Sequence, residues 1–264
     1  MTIFSPNFSF FSETTHDRTA YPNILSAMNE PDFQRLFFFF GLIVGKALYG
    51  GVLLKVRFAK FFLLRMISKS TQFDDLKSLD PQIYENLLQV KYYDGDVEDL
   101  GLTMTYAIDM FGRSEEVELV PNGSNIPVTN RNRSMYIMYL VHFLLNRRTA
   151  EQTKAFVRGL QSVFPENWLS YFMPEEVELL ISGGVSEIDI DDLQANTVYN
   201  HFDPDSNSTD RAYLDSFWAH LKSLPNDQKE KFLSFATGTN RPPLLGFKYI
   251  NPHFCISKMQ VEGP

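Results

Sequence analysis

The chain has 264 residues, 44% of them hydrophobic and 21% charged, which is the usage of an ordinary globular protein with about two domains. Its net charge of −8 argues against a nucleic-acid-binding protein, which needs a basic face to neutralise phosphates, and against docking on anionic membranes. The single cysteine, Cys255, cannot form an intrachain disulfide or a cysteine zinc site, which favours a reducing compartment.

The first half of the chain contains a long apolar segment. Phe33–Tyr49 is apolar almost all round, and this pattern predicts a helix that is buried on every side. Gly41 and Gly45, four residues apart, would let another backbone approach closely. The longest apolar run, Leu36–Leu54, approaches the length of a membrane span, but Lys46 would lie in mid-span at a high cost, so we expect a helix in a soluble core.

Helix and strand signals follow in chain order. We expect further helices over residues 58–68, 74–79, 81–90, 133–146, 150–163, 174–182, 213–224 and 227–235, and strands over 102–108, near 117–119 and at the end of 247–256. Asn29 is the candidate cap of the first long helix, and Thr129 or Asn130 that of the helix at residue 133. These elements predict an α+β fold, mostly helical, in two unequal pieces.

The sequence contains no self-contained active site. There is no GxSxG elbow for a serine nucleophile, and the five histidines share no metal-ligand spacing. The acidic stretch 92–101 lacks the central glycine and the closing glutamate of a calcium loop when it is counted from Asp94. We therefore predict no metal site and no cofactor.

Several segments resemble, in the right order, the motifs of HECT-type ubiquitin-protein ligases. The resemblance rests on LIVGKALY (42–49) with FAKFFL (58–63), VEL (117–119) with PNGSNIPVTN (121–130), EVELLISG (176–183), FW (217–218) and FATG (235–238). These motifs span roughly residues 7–256, so the chain is identified as a member of that family. Residues 76–87 and 241–248 resemble the type-C, proteasome-associated branch.

The resemblance implies a bilobal domain with a large helical N-lobe and an incomplete, smaller C-lobe. It places the N-lobe at residues 1–183, with a small conjugating-enzyme-binding subdomain at about 68–112, and the C-lobe at 189–264. The hinge is placed at 184–188, and Ser182, Gly183 and Gly184 are the predicted hinge residues. In this family a conjugating enzyme delivers ubiquitin to a C-lobe cysteine, which passes it to a substrate lysine. The partners implied are therefore a conjugating enzyme, ubiquitin, protein substrates and the proteasome, in the cytoplasm or nucleus, without nucleic acid or membrane.

The family's conjugating-enzyme site maps onto six apolar positions of the small subdomain. They are Ile83, Leu87, Val90, Tyr93, Leu102 and Met104. The first three recur at helical spacing and share one face, and the last two lie on one side of the following strand. Two arrangements are open: an exposed apolar groove with Tyr93 as its aromatic anchor, or a set of side chains that fill the core of the subdomain.

The chain departs from the family pattern at both ends. The transfer cysteine of the family lies in an LPxxxTC segment, and no such segment occurs up to Pro264. Cys255 lacks this context, and we expect apolar neighbours to keep its thiol protonated, so we predict a structural and not a catalytic cysteine. An N-terminal DxGGxxREF element is also absent.

We therefore expect a truncated HECT domain that cannot form the thioester itself, with apolar surface exposed around Phe33–Tyr49. The alternatives are a non-catalytic module that binds conjugating enzymes, a fragment of a full ligase gene, and a helical scaffold unrelated to ubiquitin.

Overall fold

The chain folds into two compact units, residues 1–181 and 182–264. The computed structural model describes Phe4 and residues 9–110, 113–165, 168–183, 187–202, 207–238, 242–243 and 246–258. The described residues form a mostly helical α+β fold with small sheets, which confirms the predicted fold class. No described helix has both the length and the apolar character that crossing a bilayer requires.

The first unit consists mainly of helices. They are α1 (Ser26–Asn29), α2 (Phe33–Tyr49), α3 (Lys60–Met66), α4 (Leu76–Leu79), α5 (Pro81–Lys91), α6 (Arg133–Leu145), α7 (Ala150–Gln161) and α8 (Pro174–Ser182). Four strands form two antiparallel pairs, namely β1 (Phe11–Glu13) with β2 (Ala20–Pro22) and β3 (Thr105–Met110) with β4 (Arg113–Glu118).

Two glycines let α2 and α7 pack with their backbones in contact. A methyl group on Gly41 would lie 1.9 Å from the carbonyl oxygen of Phe156, and one on Gly159 would lie 1.9 Å from that of Phe38. Each helix therefore contributes one glycine, and each glycine lies against the backbone of the other helix. The predicted close approach at Gly41 is confirmed, whereas its counterpart on α7 was not predicted.

The two sides of α2 differ in burial. Phe37, Phe40 and Val44 are buried, whereas Phe39 and Tyr49 are 51% and 76% exposed. The expectation that this helix is buried on every side is wrong, because the core and α7 cover only part of its circumference. Apolar surface is exposed along the helix, as expected.

The clustering of phenylalanine in the sequence becomes a cluster of rings in the core. Neighbouring ring centroids lie 5.1 to 6.5 Å apart in a set that comprises Phe4, Phe11, Phe37, Phe40, Phe58, Phe62 and Phe156. Most of these pairs meet edge to face or tilted, which is the arrangement that aromatic quadrupoles favour. The rings join α2, α3 and α7 to the first sheet.

The predicted helix caps are wrong by a few residues. Asn29 ends the short helix α1, and Asp32 occupies the cap position of α2 without a side-chain capping bond. Before α6, Asn132 holds the cap position, and its side chain accepts a hydrogen bond from the backbone N–H of Thr129 (2.7 Å). Thr129 and Asn130 therefore belong to a turn that precedes the helix.

The described residues of the second unit form three helices and one small sheet. They are α9 (Ile190–Ala195), α10 (Ser208–Ser223), α11 (Asn226–Thr237), β5 (Val198–Asn200) and β6 (Cys255–Ser257). The strands pair in parallel, an arrangement that the sequence did not predict. Helix α10 begins five residues earlier than predicted, because Asn207 caps it by accepting a hydrogen bond from the backbone N–H of Thr209 (3.0 Å). Trp218 is buried in the core of this unit and donates to the hydroxyl of Tyr199 (2.9 Å).

Asp192 ties α9 to the C-terminal part of the second unit. One carboxylate oxygen accepts from the backbone N–H of Phe247 (2.7 Å), and the other accepts from the side chain of Asn196 (2.9 Å). Gly246 precedes Phe247 at φ +89°, a conformation that favours glycine, and it lies directly against this carboxylate. The side chain of Asp192 is therefore part of the unit's internal scaffold.

The predicted hinge follows the last turn of α8. Ser182 ends this helix and is buried, and Gly183 has a φ of +78°. Gly184 lies outside the described residues, and the hinge stays a prediction.

Candidate protein-binding site

The predicted binding subdomain is built on α5, whose start is fixed by local sequence. Pro81 takes the first helical position, where its missing N–H is not needed. The Asp80 carboxylate accepts from the backbone N–H groups of Gln82 (2.8 Å) and Ile83 (3.1 Å). This cap sets the helical phase that places Leu87 toward the core.

The acidic loop, residues 92–101, follows α5 and is anchored on α6 and on the turn before it. The guanidinium of Arg133 donates to the backbone carbonyl of Tyr93 (2.8 Å). Val97 is fully buried, and its backbone N–H donates to the side chain of Asn130 (3.4 Å). These contacts attach the loop to α6 and the turn before it, while its outer side chains face solvent. Sequence reasoning assigned no such role to Arg133 or Asn130.

The six predicted conjugating-enzyme-binding residues fall into three groups. Leu87 and Met104 are buried in the core of the first unit, with 4% and 3% of their surface exposed. Ile83, Val90 and Leu102 are half-buried and pack against that core. Only Tyr93, at 38%, is exposed. The predicted exposed groove therefore does not include the side chains of Leu87 and Met104, which fill the core as in the alternative arrangement.

The exposed apolar surface at this site belongs to the acidic loop. Tyr92 is 68% exposed and Leu100 is 39% exposed, in addition to Tyr93. The exposed carboxylates of the same loop belong to Asp94, Asp96, Glu98 and Asp99. Exposed apolar side chains among carboxylates fit a protein surface that presents apolar side chains beside basic ones. Tyr92 and Leu100 were not predicted as part of the site. The signal that could have found them is that each is a large apolar residue in an otherwise acidic stretch.

The strand after the acidic loop is supported by a tight turn. Asn122 has a φ of +60°, and the carbonyl of Gly123 accepts from the backbone N–H of Met104 (3.1 Å). The Glu118 carboxylate accepts from the hydroxyl of Ser124 (2.7 Å) and from the backbone N–H of Asn122 (3.1 Å). These hydrogen bonds, first of all those from Ser124, lower the pKa of Glu118.

Cys255 lies on β6 and is exposed. Its Sγ accepts from the side-chain amide of Asn200 (3.1 Å) and lies 3.6 Å from the hydroxyl of Ser257. The expectation of purely apolar neighbours is therefore wrong. Within the described part of the chain, no histidine or cation is hydrogen-bonded to this sulfur, and no group of three or more His, Cys, Asp or Glu residues could hold a metal.

Comparison with known proteins decides the family. A sequence model of the HECT domain (ubiquitin-transferase) matches residues 1–263. The chain belongs to the HECT family. It is 39% identical over 257 residues to a probable E3 ubiquitin protein ligase of Schizosaccharomyces pombe, and 38% identical over 266 residues to the ubiquitin-protein ligase E3B of Homo sapiens. A third relative, the E3 ubiquitin-protein ligase HUWE1 of Mus musculus, is 34% identical over 262 residues.

These alignments cover almost the whole chain but only part of each relative. They take in 97–98% of this chain, against 24% of the first two HECT proteins and 6% of HUWE1. The chain thus spans about a quarter of the length of the first two relatives. The motifs that carried the sequence resemblance lie within the matched region, and the HECT assignment made from them is confirmed.

Proposed function

We propose that this chain acts within a HECT-type ubiquitin-protein ligase, as the part that receives a ubiquitin-charged conjugating enzyme. The family match and the ligase names of the relatives support a role in ubiquitin transfer. The partners are then a conjugating enzyme, ubiquitin and a protein substrate. The type-C branch, its proteasome association, the lobe boundaries, the hinge and the cytoplasmic or nuclear location all stay predictions.

The observation that carries the proposal is the exposed Tyr93 on an anchored loop. The hydrogen bond from Arg133 holds the loop in place. The loop therefore loses little conformational freedom when a partner binds, and more of the contact energy remains for affinity. Its exposed tyrosines and Leu100 offer apolar area of the kind that dominates protein interfaces.

We further propose that Cys255 does not accept ubiquitin. Transthiolation needs a thiolate that attacks the thioester carbonyl of the charged enzyme, while the conjugating enzyme's sulfur leaves. The hydrogen-bond partners of the Cys255 sulfur are an amide and a hydroxyl, neither of which can take the thiol proton as a general base. The transfer step is then carried by a cysteine other than Cys255.

One assay tests both parts. The chain is mixed with activating enzyme, ubiquitin and a panel of conjugating enzymes, and binding of each charged enzyme is measured by titration for the wild type and for Tyr93→Ala. We expect at least one conjugating enzyme to bind the wild type, the Tyr93→Ala variant to bind it more weakly, and no reducible ubiquitin adduct to form on the chain. A reducible adduct that disappears in Cys255→Ser would refute the second part, and no binding by any conjugating enzyme would refute the first.

The second candidate is a non-catalytic module that occupies conjugating enzymes in competition with intact ligases. It is favoured by the same exposed loop, because binding there requires no cysteine. Adding the chain to a reaction of an intact HECT ligase separates the two functions. Inhibition that depends on Tyr93, with no product formed by the chain itself, supports the module.

A further inference from the structure

A basic groove lies on the first unit, away from the acidic loop. It is an open cavity of about 590 Å³ between the end of α3 and the outer face of α7. Its cationic residues, which define the groove below, are Arg65, Lys69, Lys154 and Arg158. Four cations around one cavity are unexpected in a chain of net charge −8.

Carboxylates of the protein neutralise this groove only in part. In the part of the chain that the structure describes, Arg65, Lys154 and Arg158 have no acidic partner within 4.0 Å. Lys69 donates to the backbone carbonyl of Phe172 (2.7 Å), and its charge also acts on the exposed carboxylate of Glu175, which pairs with Lys60. The one acidic residue in the lining, Glu151, accepts a hydrogen bond from Gln34 of α2. Four cations against this one carboxylate leave the lining with an excess of positive charge, and the cavity is open to an anionic ligand.

The spacing of the cations favours an extended chain as that ligand. Lys154 and Arg158 are four residues apart on α7, so their backbones are separated by about 6 Å along the helix axis. Acidic side chains two residues apart on an extended peptide point to the same side and are separated by roughly 6.6 Å. Arg65 and Lys69 on the facing wall can pair with further carboxylates or with backbone carbonyls.

The lining also offers groups that suit a peptide backbone. Ser68, Ser70 and Gln161 also line the cavity. Hydroxyl and amide groups can donate to and accept from main-chain N–H and C=O groups of a bound segment. A polynucleotide fits less well, because its long run of phosphates would extend beyond four cations onto an otherwise acidic protein.

We propose that the basic groove binds an acidic, extended segment of a partner protein, with carboxylates at alternating positions. The site is separate from the acidic loop, and the proposal does not depend on the function proposed above. The basic groove and the acidic loop carry opposite charges, so we expect them to bind different partners.

The test uses the whole 264-residue chain and a fluorescein-labelled peptide of sequence Ser-Glu-Ala-Glu-Ala-Glu-Ser, with binding followed by fluorescence anisotropy. We expect binding at low salt that weakens several-fold as salt is raised, because exposed charge pairs are screened. The matching Gln peptide should not bind. The double variant Lys154→Glu with Arg158→Glu should lose about tenfold or more in affinity, since it places like charges opposite the peptide.

The matched control is Lys55→Glu with Lys77→Glu, which makes the same change in net charge at two exposed lysines outside the groove. It should bind the peptide within about twofold of the wild type. Thermal unfolding of each variant shows that the fold is retained, and if the double variant fails to fold, the single change Arg65→Gln replaces it.

Three results would overturn the proposal. They are equal binding of the Gln and Glu peptides, equal loss of affinity in the control, and no binding of the Glu peptide at low salt. Binding of a phosphoserine peptide alone, or equal competition by single-stranded oligothymidylate, would also contradict the assignment to carboxylates of a protein segment.

Discussion

Arg133, at the start of α6, donates a hydrogen bond of 2.8 Å to the backbone carbonyl of Tyr93, which lies 40 residues earlier in the chain. This contact joins the exposed aromatic residue of the acidic loop to one of the main helices of the first unit. The position of the proposed binding surface thus depends on a side chain that does not itself need to touch the partner.

Replacing Arg133 with alanine is expected to weaken conjugating-enzyme binding by about three- to tenfold, because one charge-assisted hydrogen bond that fixes the loop is lost. Titration measures the affinity, and hydrogen exchange of residues 92–100 should quicken in the same variant. Arg131→Ala is the control, since this neighbouring side chain is exposed. Equal loss of affinity in both variants would mean that charge, and not the anchoring of the loop, is responsible.

Tyr93 and Leu87 should respond to truncation in opposite ways. Tyr93→Ala is expected to weaken binding while changing the free energy of unfolding by less than about 1 kcal/mol, because the ring is exposed. Leu87→Ala removes a buried side chain and should cost about 2–5 kcal/mol of stability. Denaturant titration and binding assays on both variants check this. A Leu87→Ala protein with full stability and lost binding would contradict the buried position.

Gly159→Ala should be among the most damaging single changes in the first unit. The added methyl would lie 1.9 Å from the carbonyl oxygen of Phe38, so α2 and α7 would have to separate. We expect a loss of about 3 kcal/mol or more, or failure to fold. Gly50→Ala is the control, since its backbone is helical and its nearest neighbour is 3.3 Å away, and it should stay within about 1 kcal/mol of the wild type.

Asp192 and Asp191 provide a matched pair in the second unit. Asp192→Ala leaves the backbone N–H of the buried Phe247 without its acceptor and should cost about 1–3 kcal/mol. Asp191→Ala removes only an exposed ion pair with Lys222 and should cost about 0.5 kcal/mol or less. The fluorescence of the buried Trp218, in a Trp168→Phe background, follows unfolding of this unit. Similar losses in the two variants would contradict the scaffold role of Asp192.

The turn at Glu118 should make a pH-dependent contribution to stability. Its pKa is lowered in the folded protein from an ordinary value of 4.5, mainly by the hydroxyl and backbone N–H of Ser124. The contribution is therefore present above pH 4.5 and is lost as pH falls through the lowered pKa. Glu118→Gln should melt below the wild type near neutral pH, and the difference should shrink toward pH 3. A difference that grows with acid would reverse the sign and exclude this cause.

The sequence predicted the elements whose causes are local. The end of α2 follows from an apolar run that stops at Gly50, and the start of α5 follows from the Asp80–Pro81 pair. The family motifs, which depend only on residue order, predicted the fold class and the family correctly.

What the sequence could not predict depends on partners that are distant along the chain. The close contact at Gly41 needs Gly159, more than a hundred residues later, and neither residue reveals the other. Periodicity placed Ile83 and Leu87 on one face of α5, but it could not tell whether that face meets solvent or the core. The exposed residues of the candidate site lie at the end of α5 (Tyr92) and in a single 3-10 turn (Leu100), and both are too short for apolar periodicity to be informative.

The parallel pairing of β5 with β6 has a consequence for the order in which the protein is made. Residues Val198–Asn200 find their partner strand only at Cys255–Ser257, so ribosomal synthesis must pass residue 257 before the sheet can close. The strand pairs of the first unit are hairpins of neighbouring segments, so they can form earlier in synthesis. During translation the sheet of the second unit should therefore close after the strand pairs of the first unit have formed.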